Sequence, residues 1–195
     1  MERPFQKDLS HLSLDQVFER QARRAELMKE WMGALDLQPG DRVLDVGAGP
    51  GFVSLALAEQ VGPSGLVYAL DRSPDALAYL ERLQNERGIK QIERLIADAA
   101  TVDPSKVAAG AALVSMVLHH ADDPAGLLRN VAQCVSPGAR VVIAEFHPDG
   151  PCTSGPPREH RLAPVNIQGW CRDAGLTVVD YRRQMPEHYM VLARR

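Results

Sequence analysis

Between Leu14 and Leu37 the apolar residues Val17, Phe18, Ala22, Ala25, Leu27, Met28, Trp31 and Leu35 recur at the spacing of a helix face, which predicts one or two helices. The pattern breaks at Gln38-Pro39-Gly40-Asp41. The next stretch, "RVLDVG" (42–47), is a short, nearly unbroken apolar run of the kind found in strands covered on both faces. From there helical and strand patterns alternate. "GFVSLALAEQV" reads as a helix closed by "GPSG", and "LVYAL" as a second strand running to Asp71. Ser73 and Pro74 have the character of an N-cap and a first-turn proline, opening the helix "DALAYLERLQNER" that Gly88 ends. "IERLIAD" supplies a third strand ending at Asp98, and "AALVSMVL" a fourth. "AGLLRNVAQCV" is a helix stopped by "SPG", and "ARVVIAEF" a fifth strand. A loop rich in Pro and Gly, "HPDGPCTSGPP", leads to the helix "APVNIQGWCRDAG". Two last strands, "LTVVDYRR" and "HYMVLARR", flank a turn at Met185–Pro186.

Such alternation predicts an α/β fold, Rossmann-like and doubly wound, with a mostly parallel seven-stranded sheet. The last two strands leave no room for a helix between them, so they form a C-terminal antiparallel hairpin. With no internal repeat or linker, residues 1–195 read as a single domain, 1–38 as an N-terminal helical cap and 39–195 as the core.

The chemistry begins at Gly47-Ala48-Gly49-Pro50-Gly51-Phe52. A dinucleotide-binding turn has the spacing G-x-G-x-x-G, whose third glycine lets helix and strand pack closely. Here the third glycine comes one residue early, and Phe52 stands where a small residue is needed. Pro50 removes a backbone N–H from the set that would hold a pyrophosphate. Asp45, two residues before Gly47, is unfavourable beside a pyrophosphate and favourable beside an ammonium or sulfonium group.

"VLDVGAGPG" resembles the D-x-G-x-G-x-G motif of class I S-adenosylmethionine-dependent methyltransferases. The resemblance implies a binding site for S-adenosylmethionine in which Asp45, Gly47, Ala48, Gly49 and Gly51 approach the methionine portion. It assigns Asp71, twenty positions after Gly51, to the two ribose hydroxyls, with Arg72 beside it lining the adenosine site. It sets Asp98 against the adenine amino group and the Ala99 N–H against the ring, and Ser115, late in the fourth strand, completes the set. Three acids at three successive strand ends share one edge of the sheet, where open α/β sheets bind ligands.

The stretch from Met116 to Phe146 is similar to small-molecule methyltransferases of the ubiquinone and menaquinone biosynthesis type, and the likeness covers roughly residues 40–195. That group often carries an Asp early in strand four, where this chain has Ala111 or Ala112; the difference reads as a loss on the periphery of the fold. An Asn/Asp-Pro-Pro-aromatic signature for amide or nucleobase acceptors is missing, so the implied activity is in-line methyl transfer to a small-molecule acceptor. Positioning supplies much of such catalysis, and a base is needed only if the acceptor must lose a proton. His119 and His120 are the candidate bases, of which at most one is expected to face the pocket. Glu145 and His147 form a second candidate pair, and His160 and Arg161 lie in the loop expected to close over an acceptor. Two other readings stay open: an NAD-type oxidoreductase, against which Phe52 argues, and a non-catalytic S-adenosylmethionine-binding protein.

Composition narrows the partners. The net charge is −3, without long runs of one sign, which argues against gripping nucleic acid through its phosphates. Cys134, Cys152 and Cys171 are widely spaced and odd in number, so neither a disulfide framework nor a metal site is expected, and methylation of a thiol or metalloid is a minor option. "MERPFQKDLS" lacks the apolar core of a signal peptide and no stretch has membrane-spanning length, which together suggest a cytoplasmic setting. The oligomeric state stays open, a homodimer among the options.

Overall fold

In a computed structural model, residues 11–184 and 186–195 are described. The first ten residues, on which the signal-peptide argument rests, and Met185 of the last turn lie outside them. The N-terminal stripe forms two helices, α1 (Leu14–Ala22) and α2 (Ala25–Leu35). Ser13 starts α1 with a reciprocal capping box to Gln16, and Asp36 ends α2 in a left-handed conformation. Then follow β1 (Arg42–Val46), α3 (Phe52–Val61), β2 (Leu66–Asp71), α4 (Pro74–Glu86), β3 (Ile92–Ile96), β4 (Ala109–Ser115), α5 (Pro124–Cys134), β5 (Val135–Phe146), α6 (Pro164–Asp173), β6 (Thr177–Gln184) and β7 (His188–Arg194).

The seven strands lie in the order β3-β2-β1-β4-β5-β7-β6. The first five are parallel, and β7 runs antiparallel between β5 and β6, as the hairpin reading requires. Alternation along each strand sends side chains into two cores. On one face α2, α3 and α4 bury Trp31, Leu55, Leu57, Leu77 and Leu80 against Val43, Ala69 and Leu113. On the other, α5 and α6 bury Leu128, Val131, Ile167 and Cys171 against Leu44, Leu70 and Val114. The chain order reverses between β1 and β4, and the sheet's carboxyl edge at that switch point is the expected ligand site.

Several details depart from the sequence reading. β3 ends at Ile96, which leaves Asp98 in the loop beyond it, and β4 ends at Ser115, short of Leu118. Strand β5 begins at Val135 and runs through "SPG" instead of starting after it. Five residues of β5 span what two residues of β4 span, from Val135↔Ala109 to Arg140↔Ala111, so the turn signal marks a bulge with Gly138 at φ 84°. Ala111 and Ala112 are also not peripheral: both are buried in mid-strand beside β1.

The two N-terminal helices are fastened to the core by polar contacts as well as packing. Trp31, 1% exposed, donates its Nε1–H to Gln184 Oε1 at 2.8 Å, tying α2 to the end of β6. Arg140 reaches from β5 to the Ala34 carbonyl at 3.0 Å and to Asp36 at 2.8 Å. Phe18 of α1 meets Phe52 of α3 edge-on, with ring centroids 5.3 Å apart.

Candidate active site

A cavity of about 1340 Å³ opens at the carboxyl edge of β1, β2, β3 and β4. It exceeds the roughly 300–1,000 Å³ of most single-ligand pockets, leaving room for a nucleoside cofactor and a small acceptor together. Its floor includes Gly47, Gly49, Asp71, Asp98 and Ser115; α1 and α2 supply Val17, Arg20, Gln21, Arg24, Met28 and Trp31; residues 155–157 close one end.

The first loop is shaped by its own hydrogen bonds. The N–H groups of Gly47 and Ala48 both donate to the Leu70 carbonyl, at 2.8 and 3.0 Å, and Gly51 N–H donates to the Ala48 carbonyl. Gly49 N–H donates to Asp71 Oδ2 at 2.7 Å. Phe52 N–H, at the start of α3, is taken by Gln21 Oε1 of α1 at 3.1 Å. With Pro50 lacking an N–H, every donor from 47 to 52 is engaged within the protein, so no cradle is left for a pyrophosphate. Gln21 does this work unnoticed in the sequence, because a polar residue at a helix surface carries no pattern of its own.

Gly47 (φ 72°) and Gly51 (φ 92°) need left-handed backbone, but their surroundings differ. A Cβ on Gly47 would come within 2.7 Å of Val117, which lines the cavity with it. A Cβ on Gly51 would come within 2.3 Å of Leu80, so Gly51 exists for the packing of α4. Gly51, Ala48 and Asp45 are not in the cavity wall. Strand alternation turns Asp45 under α3, where it is 1% exposed and accepts from Ser54 Oγ at 2.6 Å. Burial pushes its pKa up to about 7, against that hydrogen bond and with a further push from the Asp71 charge.

The other sequence candidates for cofactor contact meet at the wall: Gly47, Gly49, Asp71, Arg72, Asp98, Ala99 and Ser115. Asp71 Oδ1 accepts from Ser73 N–H at 2.8 Å, which fixes the carboxylate while leaving lone pairs on both oxygens. Asp98 accepts from Ala100 N–H at 2.8 Å, and Asn130 of α5 holds the same loop through the Ala99 and Val102 carbonyls. After Ser115 the chain leaves the sheet through Met116, whose φ of 56° is strained for a side-chain-bearing residue.

That strained exit leads into a single 3-10 turn, Leu118–His120, which brings both histidines to the cavity. Adjacent side chains diverge on most backbones, hence the expectation that at most one would face it; in this turn both line the cavity, with their rings 4.1 Å apart. His119, 7% exposed, has its Nδ1 2.7 Å from Glu145 Oε2, and its backbone N–H donates to Oε1 at 3.3 Å. Burial alone would raise the Glu145 pKa, but the adjacent His119 ring and these hydrogen bonds outweigh it and hold the carboxylate below its ordinary range. Glu145 therefore partners His119, not His147. His147 instead accepts at Nδ1 from Asp149 N–H, at 3.1 Å.

Arg161 does not face the acceptor space either. It is 6% exposed, donates to the carbonyls of Pro156, His147 and Ser154, and pairs with Glu187 at 3.0 Å. It staples the loop that forms the end wall. His160 sits in a 3-10 turn (Arg158–His160) and is not in the cavity wall. Cys134 and Cys171 are buried, and burial pushes their thiols up to about 11 and about 12. Among the described residues, no group of three or more His, Cys, Asp or Glu could hold a metal ion.

Residues 37–180 match the sequence profile of the family described as methyltransferase domain. The chain belongs to that family. Among relatives of this methyltransferase, the protein-L-isoaspartate O-methyltransferase of Aeropyrum pernix is 37% identical over 123 residues, 59% of this chain and 42% of that protein. A demethylmenaquinone methyltransferase of Bacillus cytotoxicus is 30% identical over 117 residues, 60% of this chain and 49% of that protein. The chain thus spans less than half the length of these curated relatives. Among solved structures, an S-adenosylmethionine-dependent methyltransferase from Aquifex aeolicus superposes with a TM-score of 0.81 at 23% identity, covering 93% of this chain and 98% of that one. The cyclase SpnF superposes at 0.74 with 17% identity, covering 87% of this chain and 80% of that one. A cyclase on this fold means that the fold does not choose the reaction. The cofactor of the methyltransferase is S-adenosylmethionine, and the wall fits it: two carboxylates, Asp71 and Asp98, face the cavity, and the donors a pyrophosphate would need are engaged.

Proposed function

We propose that this methyltransferase moves a methyl group from S-adenosylmethionine to a small acceptor bearing a hydroxyl or amine, with His119 as general base. The observation that carries the reading is the buried His119–Glu145 contact of 2.7 Å in the wall of the cofactor cavity. The Glu145 carboxylate assigns the ring proton to Nδ1, so Nε2 presents a lone pair. The ring itself lines the cofactor cavity.

When bound, the sulfonium cofactor supplies an electrophilic methyl carbon. Asp71 would hold the ribose hydroxyls, Asp98 and Ala99 the adenine, and Gly47, Gly49 and Ser115 the methionine portion. His119 takes the proton that the acceptor loses as its oxygen or nitrogen attacks. Glu145 stabilises the imidazolium that results and keeps the ring oriented. Phe146, Met28 and Trp31 give the acceptor an apolar surround, which suits a small molecule better than a protein chain. No helix among the described residues is long and apolar enough to cross a membrane, and the reading places the enzyme in the cytoplasm.

The test is release of S-adenosylhomocysteine with a panel of phenols, amines and thiols. His119→Gln is expected to lower kcat by about 10²–10⁴, with the affinity for S-adenosylhomocysteine unchanged, and Glu145→Gln to lower kcat less. Full activity in His119→Gln, or turnover of thiols alone, would overturn it.

A further inference from the structure

The end of the cavity beyond His119 holds cationic groups that the methyl-transfer reading leaves without work. Arg24, between α1 and α2, lies over the Phe146 ring, its Cζ 5.4 Å from the centroid. Among the described residues, neither Arg24 nor Arg20 has a carboxylate or other hydrogen-bond partner for its guanidinium. Both are half-buried, where an unpaired guanidinium loses part of its hydration without a partner to replace it. Here burial, and then the Arg20 charge, push the Arg24 pKa down to about 10, with Glu145 opposing.

The nearby carboxylates are committed elsewhere. Glu145 is held by His119 and by the Phe146 N–H, Glu187 by Arg161, and Glu26 by Lys29 at 2.7 Å. A second observation comes from β7. His188 is 7% exposed and packs on Phe146 with ring centroids 4.6 Å apart, yet neither of its ring nitrogens has a hydrogen-bond partner. It lines a recess of about 340 Å³ together with Arg20, Arg23, Arg24 and Ser154, and with one acid, Glu26, which pairs with Lys29 at the surface. The recess and the main cavity share Arg20, Arg24 and Gly155, so they meet at the arginines. The unpaired guanidinium groups and the buried imidazole without partners form a donor set with nothing to donate to, while the Ser154 hydroxyl is already given to Glu187 at 2.7 Å. Phe146 beneath gives the site an apolar, aromatic floor.

We propose that this corner binds an anionic oxygen group, a carboxylate or a phosphate, carried by the methyl acceptor, with Arg24 as its principal ligand. A guanidinium presents two parallel N–H groups to such an anion, and Arg24 lines the cavity with its Cζ over the Phe146 ring. The substrate class is then a small acceptor with an apolar body, a protic group for His119 and an anionic group for Arg24. Only the identification of the bound anion as the acceptor rests on the reading above; the anion site itself does not.

The test is calorimetry on protein saturated with S-adenosylhomocysteine, titrated with benzoate, phenyl phosphate and phenol. One of the two anions is expected to bind at least tenfold more tightly than phenol, and which one does so distinguishes carboxylate from phosphate. Arg24→Gln is expected to weaken that anion at least tenfold while S-adenosylhomocysteine affinity stays within twofold, which also shows that the variant is folded. If Arg24→Gln does not fold, Arg24→Lys carries the test: it keeps the charge without the planar fork and is expected to lose threefold or more. Equal binding of phenol and both anions, absence of anion binding at millimolar concentration, or indifference to both variants would overturn the proposal. So would a tenfold loss of S-adenosylhomocysteine affinity in Arg24→Gln, which would give Arg24 to the cofactor's own carboxylate. Anion binding without methyl transfer would remove the reading above and leave this one standing. Transfer to neutral phenols at a rate unchanged by Arg24→Gln would do the reverse.

Discussion

Replacing Glu187 by Gln tests whether the wall of the acceptor space is held by one buried charge. The Glu187 carboxylate is 2% exposed and accepts from Thr153 N–H at 3.2 Å, Thr153 Oγ1 at 2.8 Å, Ser154 Oγ at 2.7 Å and Arg161 Nη2 at 3.0 Å. Burial alone would raise its pKa, but the Ser154 and Thr153 hydrogen bonds and the Arg161 guanidinium outweigh this and bring it to about 2. Against an ordinary 4.5, the depression corresponds to about 3 kcal/mol of stability at neutral pH. Because the folded pKa is the lower one, the contribution is whole above pH 4.5 and is lost as pH falls through 2. By pH 3 it has shrunk to roughly 1.4 kcal/mol. Glu187→Gln removes the charge and leaves the Arg161 guanidinium buried with carbonyls alone, a change that costs about 3–5 kcal/mol where buried pairs have been broken. For a chain of this size the expected fall in Tm at pH 7 is roughly 6–20 °C. Thermal melts of the two proteins from pH 7 to pH 3 provide the assay, with the gap closing by about 2 kcal/mol at the acid end. A variant within 1 °C of the parent at pH 7, or a gap that does not change with pH, would refute the reasoning.

Asp45→Asn probes the opposite sign. The folded-state pKa of Asp45 is raised, so its ionisation works against the fold as pH climbs; urea titrations are expected to show the variant gaining on the parent by about 2 kcal/mol between pH 5.5 and 8.5, and a constant difference would contradict the burial argument. Trp31→Ala empties a buried site and strands Gln184, with an expected loss of about 3–5 kcal/mol in chemical unfolding; a loss under 1 kcal/mol would mean that α2 is not docked as described. Asp71→Ala is expected to weaken S-adenosylhomocysteine by roughly 1–3 kcal/mol in calorimetry, and unchanged affinity would remove Asp71 from the cofactor wall.

The fold could be read from the chain because each element carries its own period. The apolar run at 42–46, the Ser73-Pro74 helix start and the closely spaced last strands follow from local sterics and burial. The bulge at Ser136–Gly138 was taken for a turn, since Pro and Gly mark both and only the pairing of β5 with β4 tells them apart. At the site, residues at strand ends were legible: Asp71, Asp98 and Ser115 stand at the sheet's carboxyl edge wherever strands end. Contacts between distant segments were not. His119 and Glu145 are 26 positions apart and meet only because β4 and β5 are neighbours. Arg24 sits in the run "RQARR", where charge on a helix surface looks like solvation until the cavity is seen beside it. Arg161 lies in the loop expected to close over an acceptor, but its fork is taken up by carbonyls and by Glu187, partners that no local pattern announces.

The central claim is that the cavity takes an S-adenosyl cofactor, because the loop's N–H groups are engaged by Leu70, Asp71 and Gln21. Calorimetric titration of the unmodified protein with S-adenosylhomocysteine and, separately, NAD tests it most directly. Saturable 1:1 binding of S-adenosylhomocysteine with no heat from NAD at the same concentration is the expected result. Binding of NAD, or indifference to S-adenosylhomocysteine, would contradict the account at its base.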